Sequence, residues 1–122
     1  MAIKNSFDIP LRNALDLFVD KYKIEILFQL MIGDKGFNQL KIDIEGINQQ
    51  ILSKQLKQMI KDKLIEKNIL KEFPKRPLYK ITKFGKTLKP IINGILKWEK
   101  TNVKAINKII RRNKKESLYD YY

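Results

Sequence analysis

Amide, hydroxyl and ammonium groups recur at helical spacing in the segment 45–65, EGINQQILSKQLKQMIKDKLI. On a helix with about 3.6 residues per turn, Gln50, Ser53 and Lys57 share one face, and Leu52 and Leu56 lie on the opposite face. The amides of Asn and Gln can pair bidentately with adenine, and a lysine can contact a backbone phosphate. The pattern indicates a helix that lies in the major groove of DNA; the competing interpretation is an ordinary lysine-rich surface helix.

The polar residues of this segment divide by the contact that each could make. Base edges are the expected targets of Gln49, Gln50 and Ser53, and Asn48 is a candidate for either a base contact or helix capping. Phosphates are the expected targets of Lys54 and Lys57, which lie one and two turns further along. Phosphate contacts give affinity and register but carry no sequence information.

Further cations lie outside this segment. Lys75 and Arg76 stand between Pro74 and Pro77 in a stiff charged turn, and we expect them to touch the DNA backbone or the adjacent minor groove. The alternative is a charged loop that serves only solubility. The secondary candidates for phosphate contact are Lys35, Asn38, Lys41 and Lys61.

The composition favours a polyanionic partner. The 122 residues contain 26 Lys+Arg against 13 Asp+Glu, a formal net charge of +13, and 43% of them are hydrophobic. Such a chain is long enough to bury a core, and its field attracts nucleic acid or an anionic membrane surface. Because the sequence is also rich in Lys, Ile and Asn throughout, the placement of the charge has to distinguish these partners.

Several classes of function are disfavoured by missing residue types. The chain has no Cys and no His, which excludes disulfides, thiol switches and Cys/His metal sites, and removes the commonest catalytic groups. We therefore expect neither an enzyme nor a cofactor. The first ten residues lack a signal-peptide core, and no apolar run approaches the roughly 20 residues of a membrane span. The expected location is the cytoplasm, without membrane insertion.

Periodicity and helix breakers predict the elements. The breakers are the 33–36 stretch GDKG and the Glu45-Gly46 turn, while Pro90 and Gly94 should kink or divide the last helix. The predicted elements are a helix over 9–19 with Asp8 as N-cap, a buried helix over 21–32, a short helix with Phe37, Leu40 and Ile44 inward, the helix after the N-cap Asn48, strands over 64–70 and 78–81, a helical region from the cap Thr82 to about Arg112, and a frayed tail over 113–122.

This order predicts the fold class. Two helices joined by a short glycine-containing turn, the second amphipathic, form a helix-turn-helix, and a β-hairpin directly after them is a wing. The fold is therefore mainly α with a small β-hairpin, a winged helix-turn-helix in one domain over 1–122. Residues 21–82 form its core, and 8–20 and 83–112 form N- and C-terminal dimerisation helices.

Motifs along residues 8–98 resemble those of the HxlR-type winged-helix transcription regulators, relatives of the MarR group. The stretches that carry the resemblance are GFNQL at 36–40, GIN at 46–48 with Leu52 and Leu56, PKRPLYKIT at 74–82 with Gly85, and Leu88, Pro90, Ile91, Ile92 and Trp98. The resemblance implies DNA binding and, by family habit, repression. This chain departs from the family in lacking its sensing cysteine, in having Tyr22-Lys23 where a tryptophan is usual, and in having Lys63 where a glycine is common.

A long apolar stripe in the last helical region predicts a homodimer. A winged-helix core does not need so long a stripe, whereas a two-fold interface with the first helix would use it, and Trp98 is either an interface anchor or a core residue. Two recognition helices would then lie roughly 34–36 Å apart and read a palindromic site. The candidate interface residues are Leu11, Leu15, Phe18, Ile91, Ile95, Trp98, Ile106 and Ile109.

Other functions remain open from the sequence. A winged-helix protein–protein adaptor, a non-specific or architectural nucleic-acid binder, a membrane-surface binder and an RNA-binding winged helix would all use a basic face. The amide-rich face and the Lys75-Arg76 pair favour double-stranded DNA, because an adaptor normally offers apolar anchors. A small-molecule effector between the helices, or none, is compatible with the absence of cysteine.

Overall fold

The computed structural model describes residues 9–70 and 76–119, with the side chains of 117–119 excepted. Asp8, the expected N-cap of the first helix, and Lys75 of the charged turn lie outside the described residues. The helices and strands of the described part are α1 Pro10–Phe18, α2 Lys21–Ile32, α3 Phe37–Asp43, α4 Gln49–Lys61, β1 Ile65–Ile69, β2 Pro77–Ile81, α5 Lys83–Lys86, α6 Lys89–Thr101 and α7 Val103–Tyr119.

The helix starts are set by side chains that satisfy otherwise unpaired backbone N–H groups. Asn48 Oδ1 accepts from the Ile51 N–H at 2.8 Å, and Thr82 Oγ1 accepts from the Gly85 N–H at 2.9 Å. Both caps were predicted. Asp20 caps α2 in the same way, accepting from the Tyr22 N–H at 2.9 Å. Such caps each stabilise a helix by about 1 kcal/mol, which explains why short helices begin at these residues.

The core of the winged helix lies where α2, α3 and α4 face one another and the hairpin. Leu27, Leu40 and Leu52 have no solvent exposure at all. As expected, α2 is largely buried, and Leu40 and Ile44 point inward from α3, while Phe37 is only half-buried. Burial of side chains of this size stabilises the fold by about 1.5–3 kcal/mol each, so this cluster holds α4 in place.

The hairpin joins the core through two sets of contacts. β1 pairs antiparallel with β2, with Ile65 opposite Ile81, and Lys35 forms an isolated bridge with Tyr79 on the other edge of β2. Thr82 Oγ1 also donates to the carbonyl oxygens of Lys63 and Leu64, at 2.7 and 3.0 Å. These bonds tie the end of the hairpin to the turn that follows α4.

Gly85 and Gly46 are required by the backbone. A Cβ on Gly85 would lie 2.2 Å from the carbonyl oxygen of Leu64, so only glycine permits this close approach. Gly46 has φ +82°, in the left-handed region that glycine adopts without strain, and it ends the turn between α3 and α4.

By backbone contacts the chain divides into two units, Met1–Lys89 and Pro90–Tyr122. The first contains the winged helix and α1, and the second contains nearly all of α6 with α7. The single-domain organisation of the sequence analysis stays a prediction. In the part of the chain that the structure describes, no helix is both long and apolar enough to span a bilayer.

The terminal helices differ from their predicted boundaries. α6 continues through Pro90 and Gly94, because a proline in the first turn of a helix loses no intrahelical hydrogen bond. The breaks come at 87–88 and at Asn102, where Asn102 Nδ2 donates to the Trp98 carbonyl at 2.9 Å. α7 then runs to Tyr119, beyond the boundary predicted at Arg112.

Candidate nucleic-acid interface

The polar face of α4 is presented to solvent because its apolar side is locked into the core. Leu52, Leu56 and Met59 are buried. On the opposite side, a shallow open depression brings together the predicted contact residues Gln49, Gln50, Ser53, Lys54 and Lys57. All are exposed except Ser53, which is half-buried. The helix therefore offers amides and a hydroxyl near its N-terminus, with the lysines following along the axis.

The charge on this face is uncompensated. Among the described residues, neither Lys54 nor Lys57 forms an ion pair. Asn48 is exposed but already uses its Oδ1 in the helix cap, so the structure assigns it the capping role that the sequence left open. Lys61 is exposed in the last turn of α4, next to the carbonyl end of the helix, where a cation is favoured.

The hairpin presents Arg76 at its described end. Its carbonyl accepts from the Leu70 N–H at 3.0 Å, which anchors the backbone, while its side chain is exposed. Lys67 adds a charge that the sequence analysis did not single out, with its Nζ 6.0 Å from the ring centre of Tyr79. Burial raises the pKa of Tyr79, so its phenol stays neutral and serves as part of the core.

Lys35 differs from the other secondary phosphate candidates. Its ammonium lies 2.6 Å from Asp43 Oδ2 and 2.5 Å from Gln29 Oε1, so it links α2 to α3 instead of pointing at a ligand. The hydrogen bond from Lys35, and then that from Gln39, lowers the pKa of Asp43. Lys35 is thus a structural residue. Asn38 and Lys41 are both exposed, and their role in phosphate contact stays a prediction.

Lys63 marks a local strain between α4 and β1. Its φ of +62° lies in the left-handed region, which costs a non-glycine residue about 1–2 kcal/mol. Its N–H donates to the Ile60 carbonyl at 3.0 Å, so the residue closes the end of α4. The glycine that the resemblance leads one to expect here would adopt this conformation freely.

The candidate dimer residues fall into two groups, one in each unit. On α1, Leu11 is 70% exposed and Leu15 is also exposed, but Phe18 is only 8% exposed. Phe18 is therefore already buried within a single chain, which corrects its prediction as an interface residue. In the second unit, Ile91, Ile95, Trp98 and Ile109 are exposed and Ile106 is half-buried. Trp98 is 62% exposed and is therefore not a core residue of the single chain.

Some exposed apolar residues were not predicted. Ile42 on α3 and Ile69 with Leu70 at the end of β1 are exposed, although each sits in an otherwise ordinary apolar pattern. Their sequence periodicity assigns them to an element but not to a partner. Only the packing of α3 beside the hairpin shows that their side chains remain uncovered.

Comparison with known proteins places this geometry in a family. The HTH-type transcriptional regulator YdeP of Bacillus subtilis, itself described as uncharacterized, is 31% identical over 107 residues, which cover 88% of this chain and 84% of YdeP. The redox regulator HypR in its reduced form superposes with a TM-score of 0.75 at 26% identity, over 81% of this chain and 98% of HypR. A structure from Porphyromonas gingivalis W83, described as a MarR-family transcriptional regulator, superposes with a TM-score of 0.74 at 30% identity, over 84% and 99% of the two chains.

The winged-helix fold, mainly α with one antiparallel hairpin, is shared with these structures, which confirms the predicted fold class. The model of the HxlR-like helix-turn-helix family matches residues 17–107, a range that includes α2 to α6 and both strands. The order of elements, the capped α4 and the match to this model agree. The chain belongs to the HxlR-like helix-turn-helix family.

Proposed function

We propose that this protein, a helix-turn-helix regulator of transcription by family, binds a palindromic site on double-stranded DNA as a homodimer and represses transcription. The observation that carries the proposal is the face of α4. Five polar side chains capable of base and phosphate contact lie on one open surface, and none of them is needed to hold the fold together. DNA as the partner also sets the cytoplasm as the place of action.

The assignment of contacts follows the direction of α4. Gln49, Gln50 and Ser53, at its N-terminal end, are the proposed base readers, because a recognition helix reads base edges with its N-terminal residues. Lys54 and Lys57 are the proposed phosphate contacts. Arg76, with Lys75, would reach the backbone or the minor groove beside the wing, and Asn38, Lys41 and Lys61 are the proposed outer contacts.

The homodimer is supported by exposed apolar surface in the second unit. Ile91, Ile95 and Trp98 recur on one face of α6 and are all exposed in the single chain. A contiguous apolar face of this kind on a folded chain marks an interaction surface, and closed two-fold pairing covers it on both copies at once. The homodimer would align two copies of α4 with the half-sites of a palindrome.

The oligomeric state is tested by sedimentation equilibrium at micromolar concentration. We expect a dimer for the native chain and a shift to monomer for Ile95→Glu, which places a charge on the apolar face. Lys97→Glu, on the opposite side of the same helix, is the matched control and should remain dimeric. A native chain that sediments only as monomer contradicts the homodimer.

The signal that controls this regulator has to differ from a thiol switch. HypR is described as a redox regulator, but this chain contains no cysteine, so oxidation of a thiol is chemically excluded here. Control by a small-molecule effector, or by protein abundance alone, remains compatible with repression.

A mobility-shift titration tests the DNA-binding proposal. The probe is a duplex from upstream of the protein's own gene, the control is a random duplex of equal length, and both are titrated at several salt concentrations. A discrete complex that survives excess random competitor supports a specific regulator. Equal affinity for both duplexes with a steep salt slope would indicate a non-specific architectural binder, since that affinity comes from counterion release alone.

A further inference from the structure

A cleft between α3 and the hairpin is separate from the α4 face. It encloses about 380 Å³. Phe37 and Ile42 line it from α3, and Leu70 and Leu78 line it from the hairpin. Ligand pockets in proteins begin at roughly 300 Å³, so the space suits a small molecule of one or two rings.

The walls of this cleft are apolar side chains that the fold leaves uncovered. Ile42 is 75% exposed, Leu70 is also exposed, and Phe37 and Leu78 are half-buried. Because exposed apolar area is unfavourable in water, a flat apolar group placed between these walls would be stabilised by the surface that it covers. The walls therefore define the body of the ligand.

The charge in the cleft defines the other end of the ligand. Arg76 is the one ionised side chain among the described lining residues, and no carboxylate lines the cleft. Within residues 9–70 and 76–119, Arg76 forms no ion pair. A guanidinium can hold a carboxylate through two parallel hydrogen bonds, and the amide of Asn38, which also lines the cleft, can donate a further one.

We propose that this cleft binds a small amphipathic anion, a carboxylate on a flat apolar body, and that the bound anion competes with DNA. The competition rests on the proposed function, in which Arg76 and Asn38 contact the DNA backbone. A carboxylate on Arg76 removes the cation that a phosphate would use. The ligand thereby weakens DNA binding without a change of fold.

The first test measures the ligand site in the absence of DNA. The full chain labelled with ¹⁵N is titrated with 2-naphthoate and with its neutral isostere 2-naphthamide. We expect saturable shifts of the amide signals of residues 36–42 and 76–78, with tighter binding of the carboxylate. Shifts that do not saturate, or that spread over the basic surface at large, overturn the site.

Two substitutions separate the apolar and the ionic contribution. Arg76→Gln should lower the affinity for naphthoate about two- to fivefold, the range of an exposed ion pair, and leave that for naphthamide unchanged. Ile42→Gln should weaken both ligands alike. Arg111→Gln, an exposed arginine on α7, is the matched control, and an equal loss of naphthoate affinity in this variant refutes a specific role of Arg76.

The second test measures competition. Saturating naphthoate should raise the Kd of the specific duplex severalfold in native protein, and this ratio should fall towards one in Ile42→Gln. Specific DNA binding that naphthoate leaves unchanged overturns the competition while the proposed function stands. Saturable naphthoate binding at the cleft in a protein that binds no DNA overturns the proposed function instead, and supports the ligand site alone.

Discussion

Replacing Gly85 with alanine should damage both the stability and the DNA binding of this protein. The added Cβ would lie 2.2 Å from the Leu64 carbonyl oxygen and 2.7 Å from Ile81 Cγ1. Both distances are far below van der Waals contact, and the oxygen belongs to backbone that cannot rotate away. The hairpin would have to move from the end of α4, which also stretches the hydrogen bond from Thr82 Oγ1 to the Leu64 carbonyl at 3.0 Å.

The magnitude follows from these contacts. Overpacking in a well-packed core typically costs about 1–3 kcal/mol. A backbone clash with a strained hydrogen bond should reach the upper end, about 3 kcal/mol. That loss is a large part of the roughly 5–15 kcal/mol by which domains are stable. Displacement of the hairpin should also weaken DNA binding at temperatures where the variant is still folded, because Arg76 precedes β2.

Urea unfolding followed by circular dichroism measures the change, with Gly94→Ala as the matched control. Gly94 lies inside α6, and a Cβ added there would meet no described atom within 4 Å, so alanine should stabilise the helix by up to about 1 kcal/mol. A Gly85→Ala protein whose free energy of unfolding lies within about 1 kcal/mol of the native value would refute the reasoning about the Leu64 contact.

Three further predictions concern the interface and its support. Gln50→Ala should cost about 1–3 kcal/mol on the preferred site and relax discrimination at one or two positions, whereas Lys57→Ala should weaken all DNA alike and reduce the salt slope by about one; mobility shifts on specific and random duplexes compare them, and identical effects of both variants on both duplexes contradict the assignment. Lys63→Gly should raise the free energy of unfolding by about 0.5–1 kcal/mol in urea titrations, since it relieves a left-handed lysine; a loss of stability would contradict this. Because the pKa of Asp43 is lowered from its ordinary value of 3.8, its contribution to stability is present above that pH and is lost as the pH falls through the folded-state value. The stability difference between the native chain and Asp43→Asn should therefore shrink below about pH 4, and a difference that is constant from about pH 7 to pH 3 would contradict the role of Lys35.

Much of the first unit could be predicted because its signals are local. The amphipathic pattern of α4, the caps at Asn48 and Thr82, and the breakers at 33–36 and Gly46 each act within a few residues, and each corresponds to an observed boundary. The wing was also predicted from the chain itself, since two short apolar segments around a proline-rich turn have few other ways to pair.

The features that sequence reasoning missed depend on residues far apart in the chain. Nothing local to Lys35 indicates that Gln29 and Asp43 hold its ammonium, and nothing in the apolar pattern of α1 separates the buried Phe18 from the exposed Leu15. The break at Asn102 was missed for a different reason, because the stronger breakers Pro90 and Gly94 are tolerated where they stand in α6.

The sequence by itself determined the element types, the polar face of α4 and the absence of any thiol chemistry, because composition, periodicity and capping are properties of neighbouring residues. Only the tertiary structure decided which cations are free, which apolar residues stay uncovered, and why position 85 must be a glycine. Those facts depend on how close α3, α4 and the hairpin approach one another, and that distance is set by the packing of side chains from all three.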